Sequence, residues 1–155
     1  MPQSESVRLP GKQSLSEKDI ILIIEDDLCN GELLVELLLE ETPFYPIHLT
    51  DSTQALKLMQ LLKPKLLICD YFLPKMNGIM LYDRIHSNIE LQNMPILMLS
   101  AGLDGLKREI DERGLVALSK PFDLEEFFAA IEKVMGYDIR LPDHFGENAL
   151  SEQLI

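Results

Sequence analysis

The sequence predicts an open α/β domain: a doubly wound, five-stranded parallel sheet with helices on both faces. Three observations carry that prediction. Five short runs rich in Ile, Leu and Val are each bounded by polar or turn residues, as strands buried on both faces should be. Segments with apolar residues at helical spacing separate them. The connections are too long for hairpins, so neighbouring strands run the same way through crossovers.

Residues 1–18 are polar, contain Pro2, Pro10 and Gly11, and read as a flexible leader to a domain spanning 19–136. Ile20-Ile21-Leu22-Ile23-Ile24 is an uninterrupted apolar run and makes the first strand. It ends at Glu25-Asp26-Asp27. The next segment, 28–41, places Leu33, Leu34, Leu37 and Leu38 on a helical stripe; Asp27 can cap it and Pro43 stops it. Ile47-His48-Leu49-Thr50 reads as a short second strand. Ser52 is the expected N-cap of a helix carrying Ala55, Leu58, Met59 and Leu62, closed by Pro64.

The third strand, 65–69, delivers Asp70 to a loop with Pro74 and Gly78. A third helix runs from Gly78 to about Ser87 with Asn77 as its cap. Residues 95–100 form the fourth strand, which ends at the hydroxyl of Ser100. A weaker helix is expected over 105–113, with Asp104 as cap and Gly114 just past its end. Residues 115–119 are the fifth strand, and Lys120-Pro121-Phe122 follows. The last helix starts near Asp123 and shows Leu124, Phe127, Phe128, Ile131, Val134 and Met135 as one stripe. The stripe is lost at Tyr137, so 137–155 reads as a tail, with a short helix at 147–154 as an option.

Composition narrows the function. A hydrophobic content of 46% is enough for a real core in one domain. A net charge of −12 speaks against nucleic acid as a direct partner and against an anionic membrane surface. The two cysteines, Cys29 and Cys69, lie in apolar segments, so packing rather than a disulfide framework is expected. There is no signal-peptide pattern and no membrane-length apolar run, so the cytoplasm is the expected compartment. His48, His86 and His144 do not cluster, and no histidine metal site is expected.

In open α/β sheets, ligands bind beyond the carboxyl ends of the strands, at the switch point in strand order. Here those ends carry Glu25 and Asp26, then Asp70, Ser100 and Lys120. Three neighbouring carboxylates resist ionising together. A hard divalent cation held by oxygen alone, Mg2+ (or Mn2+), relieves the repulsion. A lysine and a hydroxyl beside them suit phosphoryl transfer, with Asp70 attacking phosphorus. No GxxxxGK[ST] or GxGxxG cradle occurs, so the phosphoryl group is expected to arrive on a donor.

With these residues the chain resembles the receiver domain of two-component response regulators. The resemblance covers residues 19–136. It rests on Glu25-Asp26-Asp27, on Asp70 with Leu73-Pro74, Met76 and Gly78, on Ser100-Ala101 and on Lys120-Pro121-Phe122. It implies a flavodoxin-like strand order 2-1-3-4-5. It implies that Asp70 takes a phosphoryl group from a phosphohistidine on a sensor histidine kinase or a histidine phosphotransfer protein. Asp26, Asp70 and the backbone carbonyl of Phe72 would hold Mg2+, with Glu25 acting mostly through water. Lys120, joined to Pro121 by a cis bond, and Ser100 would contact the phosphoryl group. Ser100 would also signal its presence to the last strand and helices. The implied role is a stand-alone signalling module that changes partner binding, not an enzyme.

Two departures matter. Ala117 stands where the family usually has a Tyr or Phe whose ring follows the hydroxyl. Readout therefore passes through another element, or the domain binds partners independently of phosphorylation. Phe72 and Gly102, two residues past the acceptor and the hydroxyl, offer nothing to orient a water, which predicts slow self-dephosphorylation. Phe72 also stands where haloacid-dehalogenase-type phosphatases carry a second aspartate, which counts against that enzyme class. The surplus leucines of the first helix, Leu39 among them, are a candidate surface for a homodimer or for kinase docking.

Overall fold

The computed structural model describes residues 20–142; the leader at 1–18 and the optional helix at 147–154 lie outside the described residues. In chain order the elements are β1 (Ile20–Ile24), α1 (Leu28–Glu41), β2 (Tyr45–Leu49), α2 (Ala55–Leu62), β3 (Leu66–Asp70), α3 (Gly78–His86), β4 (Ile96–Ser100), α4 (Lys107–Arg113), β5 (Val116–Ser119) and α5 (Leu124–Met135). All strand pairs are parallel and the order is 2-1-3-4-5. Every residue of β1, β3 and β4 is buried, which is why these strands are apolar throughout rather than alternating.

Alternate side chains leave the sheet on opposite faces and build two cores. Ile21, Ile23, Ile68 and Leu97 meet Leu34 and Leu38 of α1 and Phe127, Phe128 and Ile131 of α5. Leu22, Ile24, Leu67 and Cys69 meet Met59 of α2 and Leu81 and Ile85 of α3. The chain leaves β1 for β2 on one side and crosses to β3 on the other. The carboxyl ends of β1 and β3 therefore flank the switch point.

Several local expectations shift. β2 begins at Tyr45 and includes Pro46, which an edge strand tolerates. Ser52 does not cap α2. The Asp51 side chain accepts from Thr53 N–H and opens a 3-10 turn at Ser52–Gln54, and the buried Ser52 hydroxyl donates instead to Met76 O at 2.9 Å. An N-cap hydroxyl accepts from a backbone N–H, whereas here the hydroxyl's proton is given to a buried carbonyl that would be costly to leave unpaired. α4 is also shorter than expected. Asp104 lies inside a 3-10 turn, Leu103–Leu106, and caps nothing, whereas Gly114 closes the helix in the left-handed region as expected. The caps Asp27 and Asn77 stand where the sequence placed them, and Asp123, near which the last helix is expected to start, caps α5 and pairs reciprocally with Glu126 in a capping box.

The loss of periodicity after α5 does not end the packed body. Ile139 is buried in the α1–α5 core, Leu141 N–H donates to Glu41 O at 2.8 Å, and the Arg140 guanidinium lies 5.1 Å from the Phe128 ring centre. Among the described residues, no helix is long and apolar enough to cross a membrane.

Candidate functional site

The ladder continues one residue past β1, because Glu25 N–H donates to Leu49 O at 3.1 Å. Two residues later the Asp27 carboxylate accepts from Asn30 N–H and starts α1. Glu25 and Asp26 are thus set between a strand end and a helix cap. Asp70 is the last residue of β3, and Tyr71 N–H extends its ladder to Leu99 O at 2.8 Å. Gly78 opens α3 hard against this loop. A β-carbon there would press on Asp70 O and Tyr71 Cα at 3.0 Å, so only glycine lets the helix start so close.

One carboxylate oxygen from each of Glu25, Asp26 and Asp70 lies within 4.8 Å of the others. Glu25 and Asp70 are 3% and 7% exposed; Asp26 is open to solvent. Lys120 Nζ lies 2.8 Å from Asp70 Oδ2 and 3.6 Å from Glu25 Oε1. Phe72 N–H donates to Asp70 Oδ1 at 3.1 Å. Asn30 Nδ2 donates to Glu25 Oε1 at 3.1 Å, while Glu25 Oε2 is buried without a hydrogen-bond partner.

Burial, and then the neighbouring Asp70 carboxylate, push the Glu25 carboxyl up to about 7, against the opposing pull of Lys120 and Asn30. An all-oxygen trio beside a buried carboxylate oxygen that lacks a hydrogen-bond partner fits a hard divalent cation, with Glu25 reached directly or through a bound water.

Ser100 is fully buried at the end of β4, one residue past Leu99, the register partner of Asp70. Its oxygen accepts from Gly102 N–H at 3.1 Å, which leaves its own proton to donate. Its carbonyl accepts from Lys120 N–H at 2.9 Å, so hydroxyl and lysine are tied through one backbone bond. Lys120–Pro121 is cis. The Phe72 ring is 57% exposed, meets Tyr71 edge-on, and lies over Gly102. Ala117 is half-buried on β5 opposite Met98.

The sequence reading passed over two residues that hold Glu25. One is Asn30. The other is His48, whose Nε2 lies 2.7 Å from Glu25 O. His86 is elsewhere, stacked on Tyr82. Burial pushes the Cys69 thiol up and leaves it inert packing, while Cys29 is exposed on α1. Of the α1 leucines, Leu34 and Leu38 are buried and Leu37 packs partly against them, whereas Leu33 is exposed.

The model of the response regulator receiver domain family matches residues 21–132. Over 125 residues the chain is 30% identical to a probable chemotaxis protein CheY of Rhizobium etli, covering 79% of this chain and 97% of that protein. It is 31% identical over 125 residues to the DNA-binding dual master transcriptional regulator RpaA of Synechocystis, covering 79% of this chain and 51% of that one. With the hybrid signal transduction histidine kinase D of Dictyostelium discoideum the identity is 25% over 126 residues, covering 80% of this chain. The chain therefore spans 51% of the RpaA length and 8% of the hybrid kinase. A crystal structure of a putative response regulator from Chloroflexus aurantiacus superposes with a TM-score of 0.70 at 28% identity, covering 77% of this chain and 98% of that one. Strand order, the acidic trio at the switch point and the lysine beyond β5 agree with that match, and the chain belongs to the response regulator receiver domains of two-component signalling.

Proposed function

We propose that Asp70 accepts a phosphoryl group from a phosphohistidine on a sensor histidine kinase or histidine phosphotransfer protein, and that the resulting acyl phosphate changes what the domain binds. The observation that carries this reading is the 2.8 Å contact between Lys120 Nζ and Asp70 Oδ2 beside Glu25 and Asp26. An Asp70 oxygen attacks phosphorus and the P–N bond breaks. The electron pair returns to the donor imidazole. Phe72 N–H, already on Oδ1, orients the carboxylate for attack. The Lys120 ammonium neutralises one phosphoryl oxygen, and the Ser100 O–H donates to another. Bound by Asp26, Asp70 and the Phe72 carbonyl, with Glu25 acting through water, Mg2+ (or Mn2+) would supply the remaining charge neutralisation.

On this reading the domain is an acceptor that stores a signal and not a turnover enzyme. Incubation with acetyl phosphate and Mg2+, followed by intact-protein mass spectrometry, tests it. One phosphoryl adduct is expected, absent in Asp70→Asn. No adduct on the wild type would favour a phosphorylation-independent interaction domain, the alternative that Ala117 raises. Repeated turnover of phosphate esters would indicate a phosphatase.

A further inference from the structure

The side chain of Glu25 is held by Asn30 and Lys120, and its carbonyl is held separately, by the imidazole of His48 at 2.7 Å. A carbonyl oxygen only accepts, so Nε2 carries the proton of this bond. His48 reaches it from β2, where it pairs with Ile23, the residue before the end of β1. The ring fills a slot that exists because residue 31 has no side chain: a β-carbon on Gly31 would overlap the ring at Cε1, Nε2 and Nδ1. Glycine is a poor choice inside a leucine-rich helix, where it loses more backbone entropy on folding than any other residue and contributes no packing. Room for His48 accounts for it.

Asp26 explains what the bond is for. Its carboxylate is exposed and makes no side-chain hydrogen bond among the described residues, so the backbone alone aims it. That backbone is tied before the peptide by Glu25 N–H on Leu49 O and after it by Asp27 on Asn30 N–H. The Glu25–Asp26 peptide plane between them is held through its carbonyl by His48. We propose that His48, seated in the slot left by Gly31, is a positioning residue for the metal ligands, fixing the Glu25–Asp26 peptide so that both carboxylates face Asp70. This rests on the metal-dependent reading above and extends it from the ligands to the group that orients them.

The test is Mg2+ affinity by titration calorimetry, with urea unfolding in parallel, on the full chain. His48→Ala is expected to weaken Mg2+ binding about tenfold. His48→Gln, which can offer an N–H to the same carbonyl, recovers part of the loss. Gly31→Ala alone should weaken binding as much as His48→Ala, because the added methyl evicts the ring. In the His48→Ala background it should cost nothing further, since the atoms it would strike are gone. Wild-type affinity in folded His48→Ala, or losses that add in the double variant, would overturn the inference. A purely structural role would lower the urea midpoint and leave the affinity of the folded protein unmoved. If the wild type binds no Mg2+, the metal reading fails and the inference falls with it. If the wild type and His48→Ala bind equally, only the inference falls.

Discussion

Lys120 Nζ sits 2.8 Å from Asp70 Oδ2, joining residues fifty positions apart on β3 and beyond β5, strands that are not neighbours in the sheet. This ammonium neutralises the same carboxylates that a divalent cation would. Two consequences of opposite sign follow for its removal. Lys120→Ala should tighten Mg2+ binding about tenfold, because a competing charge at short range is gone. It should slow phosphorylation by acetyl phosphate by about tenfold or more, because a charge aimed at the transferring oxygens is lost. Calorimetry and a time course of the adduct read the two effects; equal weakening of both would contradict the competition.

Stability should fall with pH across the range in which Glu25 holds its proton only in the native state. Burial and Asp70 raise that carboxyl from 4.5 to about 7. Between these values the unfolded chain has lost a proton that the folded chain keeps, so the folded state loses stability as pH rises from 4.5 to about 7 and levels off above. Thermal melts in EDTA check the slope, which Glu25→Gln should flatten. The gain in stability on adding Mg2+ should grow over the same interval, because binding requires the ionised carboxylate.

If Asp70 is phosphorylated as proposed, its acyl phosphate should persist for many minutes without a phosphatase. Phe72 presents an apolar ring over Gly102, and neither side chain can align a water for attack on phosphorus. Phe72→Asn supplies a polar group at that position and should shorten the lifetime about tenfold. Loss of all label within seconds in the wild type would refute this.

Ser52→Ala should cost about 1–2 kcal/mol in urea unfolding although it removes a single oxygen. The buried hydroxyl lies 2.9 Å from Met76 O and 3.4 Å from Pro74 O, bracing the loop that follows Asp70. An unchanged midpoint would mean that water replaces the donor.

The helix caps and the buried strands are legible from the chain because each depends on a few adjacent residues. Asp27, Asn77 and Asp123 bond backbone groups three positions ahead, and β1, β3 and β4 announce their burial as unbroken apolar runs. The acidic site is legible for a related reason: a parallel sheet brings the carboxyl ends of its strands to one edge, so the residues at or just past the ends of β1, β3, β4 and β5 gather Glu25, Asp26, Asp70, Ser100 and Lys120 there. Only the tertiary structure decided that His48 reaches back 23 residues to Glu25 O and that Ser52 leaves its capping place for carbonyls 22 and 24 residues ahead. It also decided that Ile139, past the turn at Gly136, enters the core. The physical reason is the same in each case. A backbone carbonyl is carried by every residue alike, and a single apolar side chain has no period, so neither leaves a mark in sequence until the fold brings its partner within reach.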